Sequence, residues 1–370
     1  MPQPLRIGIN GCLFGDRSPR GHALYAYQLC QELSGHLPGA KFFVYAPRHV
    51  EIAGLPGNWT FRTGTASSRL SPVAWLKLAA GSLCRQDDLH VFWSPYVFLP
   101  RLPHTTPALL TMYDFIYEMT PQSFPLAHSL AFRLFLKGDI ARAATIITIS
   151  HGTADRIQRH FGRSPVVVPP GNSSQFRRPS DDIIQSVLAK HNLARQRYLF
   201  NVAALSDPRK NLGCLVKTFL AMRRDGLAPE HRLVLAGNQD SVHPELERLL
   251  ARDGGTHVLL LGYVDKAHLP ALYAGTDAFI FPSLYEGFGM PVREARACGT
   301  RVVATDLPEL REAGDEHCIY IPPTEDGIRE GICAALNAPR GAIPTQRIWP
   351  TWQESAGLLA AQLTAVAHRC

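Results

Sequence analysis

The chain has 370 residues, of which 46% are hydrophobic and 19% charged. That length exceeds what one hydrophobic core usually serves, so two domains are expected. A formal charge of +7 without a Lys/Arg run argues against a nucleic-acid reader. It favours phosphate-bearing ligands or weak attraction to an anionic membrane.

Segment 5–9 reads as a buried first strand, which argues against a signal peptide. A helix over 21–33 follows, then strands over 41–46, 89–94 and 107–112. A helix near 129–143 precedes strands over 145–150 and 166–168. The Pro- and Gly-bearing stretch 169–179 reads as a linker. After it the pattern restarts, with strands over 198–203, 232–236, 258–261, 278–282, 301–304 and 318–321. Helices over 211–223, 244–252, 266–275, 291–298 and 325–336 alternate with them, and a last helix spans 351–368. This alternation predicts parallel sheets covered by helices. The expected architecture is α/β, two doubly wound Rossmann-like domains facing a cleft. Their expected extents are 1–175 and 176–345, with 346–370 as a separate terminal helix.

The eight cysteines form no C-x-x-C pair, so zinc or redox chemistry has no support and a reducing cytoplasm is the expected compartment. No apolar run reaches the length of a bilayer span. Segment 130–142 carries Phe132, Phe135 and Leu136 among Arg133, Lys137 and Arg142. It fits an acidic membrane surface or a core-packing helix with solvated basic residues.

Three clusters carry chemistry. The first is Glu286-Gly287-Phe288-Gly289-Met290-Pro291-Val292-Arg293-Glu294, just past the strand at 278–282. Gly287 and Gly289 permit a sharp turn and a close approach to a ligand. Pro291 suits a first helical position, where free N–H groups hold an anion. A carboxylate there would repel phosphate, so Glu286 and Glu294 are expected to aim at sugar hydroxyls. The plainer alternative makes them helix-start acids that complement the dipole. The second cluster is Ser206-Asp207-Pro208-Arg209-Lys210-Asn211. Adjacent cations at a strand end neutralise a diphosphate, or are simply a solvated pair. The third is Tyr113-Asp114, which faces the cleft or caps a turn. Gly11 and Gly21 flank a loop between the first strand and helix, without a G-x-G-x-x-G fingerprint, which argues against a dehydrogenase. No Asp-x-Asp pair marks a divalent metal.

With those residues in place, the chain resembles the retaining glycosyltransferases of family 4, which have the GT-B fold. Glu286 and Glu294 match the family's E-x7-E signature, and Arg209 and Lys210 its Arg/Lys pair. The runs from Phe281 to Pro291 and from Glu294 to Thr300 look like its donor-site core. Ala236-Gly237 and Leu261-Gly262-Tyr263-Val264 fall where that core expects them. The resemblance implies that Glu294 holds the ribose of a nucleotide sugar. Glu286 and the backbone over Gly287, Phe288, Gly289, Met290 and Pro291 would hold the sugar, and Arg209 and Lys210 the diphosphate. It implies Gly237, Tyr263, Val264 and Gly21 as further donor contacts, and a final helix that crosses back onto the first domain. Tyr113 stands where the family has His, before Asp114. Ala23 stands where the first loop often has a second Gly.

The resemblance further implies retention at the anomeric carbon, with neither metal nor cofactor. The first expectation is mannose from GDP-mannose, passed to a lipid-linked glycan acceptor in bacterial surface polysaccharide or lipopolysaccharide assembly. The enzyme would work in the cytoplasm, at the inner face of the cell membrane. Rival readings are a nucleotide-sugar epimerase, a non-catalytic nucleotide-sugar binder of the same fold and, more weakly, a phosphorylase.

Overall fold

The computed structural model describes residues 3–15, 21–50, 52, 54–64, 70–115, 126–239, 241–253, 255–314, 316–339 and 349–369, and for 126–129 the backbone alone. The chain divides into two compact units, residues 1–171 with 350–370, and residues 172–349. The boundaries expected from sequence were 175/176 and 345/346.

The first unit runs β1 (Arg6–Asn10), α1 (Gly21–His36), β2 (Lys41–Ala46), β3 (Trp59–Thr63), α2 (Pro72–Trp75), a π-helical turn Leu76–Ala80, α3 (Gly81–Cys84), β4 (Val91–Ser94), β5 (Ala108–Met112), α4 (Leu126–Arg142), β6 (Thr145–Thr148), α5 (His151–Phe161) and β7 (Val166–Val167). The described strands form one sheet in the order β3-β2-β1-β4-β5-β6-β7, with every pairing parallel. Parallel strands covered on both faces read as continuous apolar runs. Phe42, Val44, Val91, Phe92, Leu109 and Ile147 have no solvent exposure.

The second unit runs α6 (Asp181–Lys190), β8 (Tyr198–Val202), α7 (Leu212–Arg224), β9 (Arg232–Ala236), α8 (Pro244–Asp253), β10 (Val258–Gly262), α9 (Leu269–Gly275), β11 (Ala278–Phe281), α10 (Met290–Ala297), β12 (Val302–Thr305), α11 (Pro308–Ala313), β13 (Ile319–Ile321) and α12 (Glu325–Asn337). Its sheet has the order β10-β9-β8-β11-β12-β13, again parallel. Leu199, Phe219, Leu233, Ile280, Val303 and Ile332 are among the core residues of one of its faces.

The last helix, α13 (Trp352–Ala367), belongs to the first unit. A capping box starts it: Thr351 Oγ1 accepts from the Glu354 amide at 3.2 Å, and Glu354 Oε2 accepts from the Thr351 amide at 2.7 Å. Two orphan N–H groups are thereby satisfied. The Trp352 ring meets Tyr25 of α1 at 6.1 Å, and His36 Nε2 donates to the Gln353 carbonyl at 2.8 Å.

Periodicity does not predict β3, α5, α6 or α11. The signals for α5 were present as caps. Ser150 Oγ accepts from the Thr153 amide at 3.1 Å, and Gly162 closes the helix with φ +64°, the left-handed stop that glycine favours. The segment through the π-helical turn at Leu76–Ala80 keeps no single period, because its hydrogen-bond pattern changes along its length. α4 answers one alternative: Leu136 and Ile140 are buried, so one face packs into the unit.

Candidate functional site

In open α/β sheets, ligands bind beyond the carboxyl ends of the strands, where the strand order reverses. In the second unit the reversal lies between β8 and β11. The loops leaving these two strands carry the two strongest sequence clusters. β8 is followed by a 3-10 turn, Pro208–Lys210, which Asp207 caps by accepting from the Arg209 amide. β11 is followed by residues 282–289 and then α10. The two loops are tied together by backbone, the Leu284 amide donating to the Arg209 carbonyl at 2.7 Å.

Side chains complete the junction. Lys210 Nζ lies 2.6 Å from Glu286 Oε1, and both side chains are largely buried. The same ammonium stands 5.6 Å from the centroid of the Phe281 ring. Arg209 is held in a fork by Asp207, with Nε to Oδ1 at 3.1 Å and Nη2 to Oδ2 at 2.5 Å. Each predicted cation therefore rests on a carboxylate, with its head pre-positioned. Asn211 takes the left-handed conformation, φ +56°, and anchors the turn by donating to the Pro323 carbonyl at 3.0 Å.

Gly287 and Phe288 are buried, and the guanidinium of Arg293 stacks 4.8 Å above the Phe288 ring. Gly289 caps α10 with φ +95°. A Cβ there would also meet Leu310 Cδ2 at 2.3 Å, so glycine is demanded by both backbone and space. Met290 begins the helix and Pro291 takes its second position, one residue in from the expected start at 291. Glu294 is not in the first turn but one turn further in. Its Oε2 accepts from the Tyr273 hydroxyl at 3.1 Å. Burial pushes this carboxyl up to about 7, against smaller opposing effects of the Tyr273 hydroxyl, Arg293 and Lys266.

Gly237, Tyr263 and Val264 follow the carboxyl ends of β9 and β10. The Gly237 amide donates to the Gly262 carbonyl at 2.9 Å. A Cβ at Gly237 would stand 2.1 Å from the Ala203 carbonyl oxygen, so this crossing of β8 and β9 ends admits only glycine. Tyr263 is 56% exposed and Val264 is buried. All the predicted second-unit residues thus lie at one end of one sheet. A separate groove of about 880 Å3, lined by Lys217, Arg224, Arg248 and Arg252 among others, lies instead between α7 and α8.

In the first unit, the Tyr113 ring is buried. It is 5% exposed, and its hydroxyl donates to the Pro95 carbonyl at 2.7 Å. An apolar aromatic ring is cheaper to bury than to expose, and here the hydroxyl has a backbone partner close by. The side chain presented above it is His22, which the sequence reading missed. Its ring stacks on Tyr113 at 3.9 Å and 7°, and its Nε2 lies 3.9 Å from Asp114 Oδ2. Gly21 begins α1 with φ +53° and open space around it. The Tyr113→Phe variant is expected to lose about 1–2 kcal/mol of stability, because the buried Pro95 carbonyl loses its donor. Denaturant unfolding tests this, and an unchanged midpoint refutes it.

Residues 196–338 match the family model described as glycosyl transferases group 1. The chain is 29% identical over 255 residues to O-antigen chain mannosyltransferase B of Escherichia coli, a stretch covering 67% of this chain and 65% of that protein, just under two thirds of its length. The fold is similar to sucrose-phosphate synthase from Thermosynechococcus elongatus, with TM-score 0.69, 18% identity, and 99% and 97% of the two chains covered. It is also similar to WaaG, a glycosyltransferase involved in lipopolysaccharide biosynthesis, with TM-score 0.64, 16% identity, and 98% of each chain covered.

Proposed function

We propose that this chain, whose residues 196–338 form a glycosyl transferases group 1 domain on a GT-B scaffold, moves a hexose from a nucleotide sugar to a glycan acceptor. The observation that carries the reading is the junction at the β8/β11 reversal. There Lys210 pairs with the Glu286 carboxylate at 2.6 Å and its neighbour Arg209 with Asp207 at 2.5 Å, at the same sheet end as Glu294. This is the charge pattern a sugar diphosphate needs, with cations for phosphate and carboxylates for hydroxyls.

In the proposed reaction the bond between the sugar C1 and the diphosphate oxygen breaks. The acceptor oxygen bonds to C1 on the same face, and its proton passes to the departing phosphate oxygen. Arg209 and Lys210 stabilise the charge that develops on that oxygen, so the reading asks for no metal. Glu286 orients the hexose, and Glu294 the ribose. Mannose from GDP-mannose is the proposed donor, supported by the likeness to the E. coli mannosyltransferase. The proposed acceptor is a lipid-linked glycan of a surface polysaccharide, reached by a peripheral enzyme on the cytoplasmic face of the membrane.

A thermal-shift panel of nucleoside diphosphates and their sugars tests the donor class. Stabilisation by GDP and GDP-mannose above the uridine and thymidine analogues is expected, and stabilisation by none of them overturns the reading. Nucleoside diphosphate release that requires acceptor extract then separates a transferase from a non-catalytic binder. Donor turnover to an epimer without acceptor would instead identify an epimerase.

A further inference from the structure

We propose that the groove between α7 and α8 is a second anion site, built for a soluble small molecule that carries at least two phosphate groups. It stands apart from the donor cluster. A helix that connects parallel strands must run back against them, so α7 and α8 end near the amino ends of β9 and β10. Arg224, Arg252 and His257 line the groove there, whereas Arg209, Lys210 and Glu286 follow strand carboxyl ends. The groove holds about 880 Å3, within the roughly 300–1,000 Å3 of small-molecule sites.

Its walls are basic from both sides, with Lys217, Arg223 and Arg224 on α7 facing Arg248 and Arg252 on α8. The two acids in the lining, Glu245 and Asp253, are used locally. Asp253 Oδ2 accepts the His257 and Val258 amides at 2.9 and 2.8 Å. The Glu245 carboxyl carbon stands 3.0 Å from where a Cβ of Gly213 would be, at the first turn of α7, where the helix dipole favours it. Lys217 is taken by Glu325 at 2.5 Å. Arg223 Nη1 donates to the Ala228 and His231 carbonyls, but its Nε is buried without a partner among the described residues. Arg224 and Arg252 are exposed and make no hydrogen bond or ion pair among the described residues. Arg248 spends only its Nε, on the Pro244 carbonyl at 3.2 Å.

Helix ends attract cations by themselves, each amounting to roughly half a negative charge. Two ends offset about one charge, and the guanidinium groups of Arg224, Arg248 and Arg252 exceed that. Arg248 also precedes the last turn of α8. Guanidinium forks on two walls match phosphate oxygens bidentately. Half-buried Leu220 and Leu249 lie between them and give a sugar or base ring an apolar seat.

The test is titration calorimetry of the full chain with inorganic tripolyphosphate. The double variant Arg224→Ala/Arg252→Ala is expected to bind at least about tenfold more weakly in the groove, losing one bound equivalent per chain. Its thermal midpoint should not move, since both side chains are exposed. A control, Lys41→Ala/Arg85→Ala, removes the same charge from exposed positions of the first unit and should bind as the parent does. A parent chain that binds no tripolyphosphate, or a double variant that binds it as the parent does, overturns the proposal. So does tighter capture of a glutamate decapeptide than of tripolyphosphate, since the groove then takes an acidic protein segment. Tripolyphosphate held by Arg209 and Lys210 survives in the double variant, so the groove and the transferase reading fail separately.

Discussion

Replacing Glu294 by Gln is expected to weaken nucleoside diphosphate binding about 10- to 100-fold at pH 8, while raising the stability of the unliganded protein. Both effects follow from one carboxyl that burial lifts to about 7. A raised acid binds protons in the folded state over a window where the unfolded chain has released them. Between the usual carboxylate range and pH 7 the folded state therefore loses stability as pH rises, and the full penalty stands above pH 7. A shift from 4.5 to about 7 corresponds to about 3 kcal/mol, which Gln relieves. In the proposed function the same carboxylate accepts charge-assisted hydrogen bonds from a ribose, each worth roughly 1.5–3 kcal/mol. Ligand binding must then drive off the proton. Affinity is expected to fall as pH drops through 7 in the parent, and to be flatter in Glu294→Gln. Titration calorimetry at pH 6 and pH 8 measures this directly. Equal pH dependence in both proteins would remove Glu294 from the ribose.

Lys210→Ala is expected to lower the transfer rate about 100- to 1000-fold, the usual loss when one group facing developing charge is removed. It also strands Glu286, which is 8% exposed and relies on the 2.6 Å contact with Lys210. Breaking such a pair from one side costs roughly 3–5 kcal/mol, because the remaining charge is buried alone. Adding Glu286→Gln should recover most of that stability, since no lone charge is left. It should not recover the rate. This double-mutant comparison separates folding from catalysis: a double variant that regains parental turnover would show the pair to be structural. Single-turnover kinetics with saturating donor is the suitable measurement, because a change in donor affinity alone would then disappear.

The ease with which the second unit is read comes from the locality of its signals. An apolar strand, a Gly-rich turn and a Pro-led helix lie within 20 residues around Glu286, and each acts on its immediate neighbours. The first unit is less legible. Tyr113-Asp114 is a polar pair after a strand, and nothing near it in sequence tells which way the ring turns. That is decided by Pro95, which accepts its hydroxyl bond, and by His22, 91 positions away, which stacks over it. Likewise α4 reads as both core-facing and basic, and only its packing shows that Leu136 points inward while Leu134 does not.

The carboxylate pair Glu286 and Glu294, with the glycines between them, is legible in the amino-acid sequence alone. So are the alternation of strands and helices and the turn at Gly289. These are set by local conformational limits and by burial patterns of short period. The tertiary structure decided the partners: Lys210 on Glu286 across 76 positions, Tyr273 on Glu294, and His22 over Tyr113. It also decided that Glu294 carries a raised pKa, because burial arises only when the elements pack around it. Side-chain pairing and desolvation depend on chain segments brought together from far apart, and no window of sequence contains them.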